Sequence, residues 1–277
     1  MNAQTILRLS DKKLYFVHTN TIISWLNKTS YELPRTCDIV VGIPRSGLFL
    51  ASYMGERLNL PLSTPELLAK GLYWEVSGID GNEYLKSKKS FHRVLLIDDS
   101  VNYGTAMKDS QDAICSRFPE IKFTKIVLFA LKDGAKHADF VMETVGIMNK
   151  VCEWSLPSRY NGYIASDLDG VICEDGPMDK LADARPLFVP SYPFVAIITD
   201  RLEKYREETQ RWLNKNNVKY DRLFMAPNTE AAALHKIEVL RKLRPPMYIE
   251  SDAALAEKIW KASGVPTLCY KTMKFYS

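Results

Sequence analysis

Val94-Leu95-Leu96-Ile97-Asp98-Asp99-Ser100-Val101-Asn102-Tyr103-Gly104-Thr105-Ala106-Met107 reads as a buried strand that ends in two carboxylates and passes through a turn of small residues into a helix. Four consecutive apolar residues suit a strand covered on both faces, as in a parallel sheet. Open α/β sheets gather their ligands just beyond strand C-termini, and the free amides of a helix start attract phosphate. The turn is therefore suited to a sugar phosphate. Ser100 and Thr105 offer amides and hydroxyls to a terminal phosphate, while Asp98 and Asp99 can accept from vicinal hydroxyls or contact a metal-bound ligand.

A second loop of the same kind lies upstream. Val41-Gly42-Ile43-Pro44-Arg45-Ser46-Gly47 runs from an apolar strand through a glycine-bearing turn toward a helix. Backbone amides plus the Arg45 guanidinium suit a pyrophosphate, whose charge needs several donors at once. Around these loops, residues 38–43, 94–97 and 125–131 read as strands, with helices starting near Gly47 and Gly104. Residues 63–92 are polar, glycine-containing and lysine-rich, too long for a plain connector, and read as a functional flap.

A second strand–helix series follows, with strands expected at 163–166, 194–198, 222–225, 247–250 and 267–270 and helices at 203–214, 229–243 and 253–263. Pro157 and the polar run at 158–162 break the periodicity between the two series, so the domains are expected at 1–157 and 158–277. Alternating strands and helices in both predict an α/β protein of two Rossmann-like domains.

The second series carries its own chemistry. Tyr163-Ile164-Ala165-Ser166-Asp167-Leu168-Asp169-Gly170-Val171-Ile172 sets two carboxylates two residues apart at a strand end, where alternation points both to one side. Gly170 lets the chain turn away sharply. Ile197-Ile198-Thr199 ends in a hydroxyl, Lys236 lies on the 229–243 helix, and Tyr248-Ile249-Glu250-Ser251-Asp252 supplies two more acids.

Composition narrows the classes. At 277 residues, with 46% apolar and 25% charged side chains, the chain is ordinary globular material for about two domains, not a disordered or fibrous one. Its apolar runs stop after five or six residues, short of the roughly 20 needed to cross a bilayer, so no membrane insertion is expected. The N-terminal residues lack the continuous apolar stretch of a secretory signal. Five dispersed cysteines without a CxxC pair indicate neither a disulfide framework nor a zinc site and fit a reducing cytoplasm. A net charge of +4 from 37 basic and 33 acidic residues is too even to call for a nucleic-acid partner.

On these motifs the N-terminal half resembles the type I phosphoribosyltransferases, with residues 98–107 similar to their phosphoribosyl pyrophosphate (PRPP) signature and residues 44–47 similar to their pyrophosphate loop. The resemblance implies PRPP bound with Mg²⁺, held by Pro44, Arg45, Ser46, Gly47, Asp98, Asp99, Ser100, Val101, Asn102, Tyr103, Gly104 and Thr105. It also implies an oxocarbenium-like transition state, inversion at the ribose anomeric carbon, and a mobile loop for which residues 63–92 are the candidate. Lys86, Lys88 and Lys89 could then approach the pyrophosphate, although a lysine run is equally a solvated face. The chain carries Asn102-Tyr103-Gly104 where purine-salvage members carry Asp-Thr-Gly, and Ala106 where they carry Thr. An amide cannot take a proton from a purine nitrogen.

The C-terminal half resembles the haloacid dehalogenase (HAD) phosphatases through Asp167-Leu168-Asp169-Gly170-Val171, with the later motifs in order. The resemblance implies Asp167 as nucleophile, Asp169 as acid and then base, Thr199 and Lys236 as stabilisers of the phosphoryl group, and Mg²⁺ held by Asp167, Asp169 and one of Glu250 and Asp252. Thirty residues lie from Asp169 to Thr199 and 37 from Thr199 to Lys236, which leaves no room for an inserted cap and implies an open, capless site.

Together the halves suggest transfer of 5-phosphoribosyl from PRPP to an acceptor hydroxyl, followed by removal of the 5-phosphate. This resembles the phosphoribosyltransferase and phosphatase pairs that install ribofuranose in bacterial polysaccharides, so a glycan acceptor is expected. Asp99, Glu75 and Glu83 are candidate bases, and Trp74, Trp154 and Tyr84 candidate stacking residues. Two alternatives stay open: a nucleobase phosphoribosyltransferase fused to a 5′-nucleotidase, and a PRPP-sensing regulatory protein.

Overall fold

The computed structural model describes residues 15–75, 86–87, 90–145, 150–158, 162–178 and 180–277, with Lys86 and Ser87 by their backbone. The chain is α/β with mainly parallel sheets and forms two compact units. One spans residues 19–147, and the other joins residues 148–277 to the N-terminal strand. That strand, β1 (Tyr15–Val17), pairs in parallel with Lys150–Cys152. Residues 150–157 thus belong with the second unit, although the break read from the sequence lies at Pro157.

In the unit 19–147, α1 (Thr19–Glu32) precedes β2 (Ile39–Gly42), α2 (Ser46–Leu58), β3 (Leu62–Ser63), α3 (Pro65–Ala69) and β4 (Leu72–Tyr73). β5 (Lys86–Ser87), β6 (Arg93–Val101), α4 (Thr105–Cys115), β7 (Lys122–Ala130) and β8 (Phe140–Thr144) follow. The sheet order is β3-β2-β6-β7-β8, with every pair parallel. Its apolar core includes Ile39, Val41, Val94, Leu96 and Val127, all fully buried. β6 runs four residues beyond the expected end at Ile97, because β7 is long enough to pair with it through Val101↔Ala130. The stretch expected as one flap holds α3, whose first turn is capped by Thr64, and the antiparallel β4–β5 pair. Glu83, Tyr84, Lys88 and Lys89 lie outside the described residues.

The second unit continues from β1 with β9 (Lys150–Cys152), β10 (Ala165–Ser166), β11 (Ala196–Leu202), α5 (Arg206–Lys215), β12 (Leu223–Ala226) and α6 (Ala232–Leu243). It ends with β13 (Tyr248–Glu250), α7 (Ala253–Ser263), β14 (Thr267–Cys269) and β15 (Phe275–Tyr276). The sheet order is β12-β11-β10-β13-β14-β15, parallel except for the last pair. β11 also outruns its expected end, passing through Thr199 to Leu202 with a register shift against β12. Between residues 169 and 199 the described chain makes bridges and one short 3₁₀ turn (Leu181–Asp183) but no helical cap. Among the described residues no helix is long and apolar enough to cross a membrane.

Candidate active sites

In the unit 19–147 the chain leaves β2 for β3 on one side and returns to β6 on the other. The C-terminal ends of β2 and β6 therefore flank the point where strand order reverses, the place where such sheets open a crevice. After β2, Pro44 and Arg45 are exposed, their peptide bond is cis, and α2 begins at Ser46. Gly47 is buried against β6: a Cβ there would stand 2.5 Å from the Ile97 carbonyl oxygen and 2.9 Å from Asp98 Cα. No side chain fits between backbones so close, and glycine is what lets the first turn of α2 sit on the strand carrying the acids.

Asp98, 9% exposed, accepts the Asp99 amide on Oδ1 at 2.8 Å. The Ser100 hydroxyl donates to Asp99 Oδ2 at 3.3 Å. Gly104 caps α4 in the left-handed region at φ 82°, with no side chain on the helix amides. The amide of Lys108 is the one that turns back to the Gly104 carbonyl, so the amides of Thr105, Ala106 and Met107 have no acceptor within the helix. These three residues help line a cavity of about 210 Å³, together with Asp98, Ser100, Val101, Asn102, Tyr103 and Gly104. Backbone donors and a helix dipole on one side, with a carboxylate on the other, can hold a phosphate and an adjoining hydroxyl together. Pro44, Arg45, Ser46 and Gly47 stand outside this lining, and Ser100 and Val101 lie on the strand instead of the turn.

One support was not legible in sequence. A Cβ on Gly104 would come within 2.6 Å of the His137 ring, and one on Gly134 within 2.4 Å of the Asn102 carbonyl oxygen. The segment after β7 therefore backs the loop, and Gly134 belongs to no motif read from the sequence.

In the second unit the order reverses beside β10, so Asp167 directly after β10, Glu250 at the end of β13 and β11 share one sheet edge. The Asp167 amide bonds the Ile249 carbonyl at 2.8 Å, which ties the residue to β13. Lys236, 0% exposed on α6, places Nζ 2.9 Å from Asp167 Oδ2, 3.1 Å from Asp200 Oδ2 and 3.1 Å from Glu250 Oε2. Buried charge persists only when paired and hydrogen-bonded. Accordingly Asp167 Oδ1 accepts the Leu168 amide at 2.8 Å, and Glu250 Oε1 accepts the Ser251 amide at 2.8 Å. Burial pulls the Lys236 ammonium down, but the carboxylates of Asp167, Glu250 and Asp200 together outweigh it and hold the lysine above its usual range. One ammonium cannot neutralise three carboxylates: burial first, then the Glu250 charge, push the Asp167 carboxyl well above the ordinary carboxylate range against the pull of Lys236.

Asp169 has a different cationic partner. Arg201, 2% exposed, grips it with Nη2 at 2.7 Å from Oδ1 and Nε at 3.0 Å from Oδ2, while Nη1 donates to the Met178 carbonyl at 2.7 Å. Thr199 Oγ1 lies 3.5 Å from Asp169 Oδ2 and accepts the Arg201 amide at 3.1 Å. Asp252 is exposed and caps α7, its Oδ1 accepting the Leu255 amide at 2.7 Å.

The four expected metal ligands are thus distributed: Asp167 and Glu250 meet at Lys236, Asp169 meets Arg201, and Asp252 ends a helix. Among the described residues no group of three or more His, Cys, Asp or Glu side chains is gathered at metal-holding spacing. The oxygens themselves suit a hard cation, since Asp200 Oδ1 is buried without a hydrogen-bond partner and the cluster carries more negative charge than Lys236 offsets. Asp200 and Arg201 were not among the residues read from the sequence. Their signal is a charged pair placed inside a strand, directly after the apolar run of β11.

No family model matches the sequence, and no curated protein matches it. Solved structures similar to part of the chain include the Helicobacter pylori xanthine-guanine-hypoxanthine phosphoribosyltransferase, at 16% identity over 51% of this chain and 95% of that one, with a TM-score of 0.39. The purine phosphoribosyltransferase of Pyrococcus horikoshii is similar at 15% identity over 50% of this chain and 93% of that one, TM-score 0.36. The orotate phosphoribosyltransferase of Aeropyrum pernix is similar at 18% identity over 46% of this chain and 73% of that one, TM-score 0.32.

Proposed function

We propose that the unit 19–147 transfers 5-phosphoribosyl from PRPP to an acceptor hydroxyl, and that the second unit, a capless HAD-like phosphatase, then removes the 5-phosphate. The observation that carries the reading is the cavity between Asp98 and Met107. It joins the first turn of α4 to a buried carboxylate, in a space of about 210 Å³. In the transfer, the bond from the anomeric carbon to pyrophosphate breaks, a bond from that carbon to the acceptor oxygen forms, and the proton of the acceptor hydroxyl leaves with the pyrophosphate. The turn holds the 5-phosphate, and Asp98 and Asp99 orient the ribose hydroxyls.

In the second step an Asp167 oxygen attacks phosphorus and the ribose 5-oxygen leaves with a proton from Asp169, giving an aspartyl phosphate. Water then attacks phosphorus, Asp169 takes its proton, and phosphate departs. Arg201 sets the position of the Asp169 carboxyl group, which enters the first half-reaction protonated and the second as a carboxylate, and Lys236 offsets the charge of Asp167. Mg²⁺, which the Asp167 and Glu250 carboxylates would hold, would supply positive charge to the phosphoryl oxygens.

A glycan acceptor is favoured by two features. Asn102, exposed on the loop, cannot deprotonate a purine, and the phosphatase half lacks a helical cap among its described residues. The test is Asp167→Asn supplied with PRPP, Mg²⁺ and panels of glycans and nucleobases, read by mass spectrometry. A phosphoribosylated glycan should accumulate where the parent forms the ribosylated glycan and phosphate. Absence of any 5-phosphorylated product rejects the relay, and a product on nucleobases alone replaces the glycan.

A further inference from the structure

The same 5-phosphate is carried by the donor and by the product of transfer, so a phosphatase blind to the rest of the molecule would destroy PRPP before it reacted. The two differ at the anomeric carbon, where PRPP bears a polyanionic pyrophosphate and the product an uncharged sugar. The second unit has a cavity able to tell these apart. It is about 750 Å³ in volume, within the range of small-molecule sites. Its lining includes Gly170, the residue after Asp169, and Tyr270, whose amide bonds the Glu250 carbonyl at 2.8 Å, so it opens beside the acids assigned to hydrolysis.

The walls of this cavity are of two kinds. Leu156, Leu187, Phe188 and Tyr270 give it apolar lining, with the Phe188 and Tyr270 rings 5.7 Å apart and tilted by 41°. Glu153, Glu174 and Asp175 also line it, together with Lys271, the one lining cation among the described residues. Lys271 is paired with Asp175, and Arg185, outside the lining, with Glu174. The cations are thus engaged by carboxylates, and a pyrophosphate entering here meets acid groups without a donor in excess. An aromatic face beside carboxylate acceptors is instead what a neutral, hydroxyl-bearing ring requires.

We infer that this cavity seats the uncharged sugar attached to the ribose and rejects the pyrophosphate of PRPP, so that hydrolysis follows transfer. The inference rests on the phosphatase reading of the second unit and assigns its substrate class: 5-phosphoribosides with a neutral substituent.

The experiment compares kcat/KM for phosphate release from a ribofuranosyl disaccharide 5-phosphate and from PRPP, with the 5-phosphate of methyl ribofuranoside as a substrate whose methyl group is too small to use the cavity and p-nitrophenyl phosphate as a general phosphatase substrate. The parent should prefer the disaccharide over PRPP by at least about a hundredfold, the scale that like-charge juxtaposition supports. Glu174→Gln with Asp175→Asn, which frees Arg185 and Lys271, should narrow that ratio about tenfold while turnover of the methyl ribofuranoside 5-phosphate stays unchanged. Leu187→Trp, at a half-exposed lining position, should lower turnover of the disaccharide selectively. Equal use of PRPP and disaccharide by the parent, or a ratio unmoved by the double variant, overturns the filter while leaving the phosphatase standing. Failure of the parent to hydrolyse even p-nitrophenyl phosphate overturns the phosphatase reading and the filter with it.

Discussion

Arg201 and Asp169 meet in a two-point ion pair, Nη2 to Oδ1 at 2.7 Å and Nε to Oδ2 at 3.0 Å, with the arginine side chain buried. A fork of this kind sets the plane of a carboxylate, which a single ammonium does not.

Arg201→Lys should therefore keep the charge and lose the orientation. Turnover of p-nitrophenyl phosphate is expected to fall roughly a hundredfold with KM changed little, because misplacing an acid–base group acts on the chemical step. Arg201→Met, which leaves Asp169 without its partner, should also lower stability by about 3 kcal/mol in urea unfolding. Steady-state kinetics with a denaturation curve checks both, and an unchanged kcat in Arg201→Lys counts against a positioning role.

Asp167→Asn should abolish hydrolysis and change the pH dependence of stability. The Asp167 carboxyl sits well above its ordinary range, through burial and the nearby Glu250 charge. Its folded pKa is raised over the unfolded one, so the native state binds the extra proton, and stability falls as pH rises from the ordinary carboxylate range through the folded pKa. Asparagine removes that contribution. Tm measured by calorimetry across acid to neutral pH should show a flatter slope in the variant, with the largest gain over the parent at the neutral end.

Glu250 and Asp252 should separate cleanly. Asp252→Ala removes the cap on α7 and should cost about 1 kcal/mol with phosphatase activity preserved. Glu250→Gln should abolish activity and weaken Mg²⁺ binding measured by titration calorimetry. The opposite assignment would show as loss of Mg²⁺ binding in Asp252→Ala.

Gly104→Ala tests the phosphate loop. Its φ of 82° costs an L-residue roughly 1–2 kcal/mol, and its Cβ would press on the His137 ring at 2.6 Å. PRPP affinity should drop at least about tenfold while p-nitrophenyl phosphate hydrolysis is retained, since the loop belongs to the other unit. Gly104→Ala with His137→Ala should recover part of the loss by relieving the contact.

What the sequence determined by itself is local. Continuous apolar runs such as 94–97 and 194–198 read as buried strands, and the helix read at 253–263 keeps those ends in the structure, where Asp252 caps it and Gly264 closes it. The turn at Asn102 and Gly104 and the carboxylates after β10 were legible for the same reason: each is a short pattern whose geometry depends on adjacent residues. The tertiary structure alone decided the rest. The ends of β6 and β11 were set by how far their neighbours could pair, and the seat of Gly47 on Asp98 by two strands packed side by side. Lys236 reaches Asp167 across 69 residues of chain, and Arg201 reaches Asp169 across 32. Such contacts follow from strand order and the depth at which a helix packs. A buried charge then takes whichever opposite charge the sheet brings to it, because leaving either unpaired would cost more than the fold can spare.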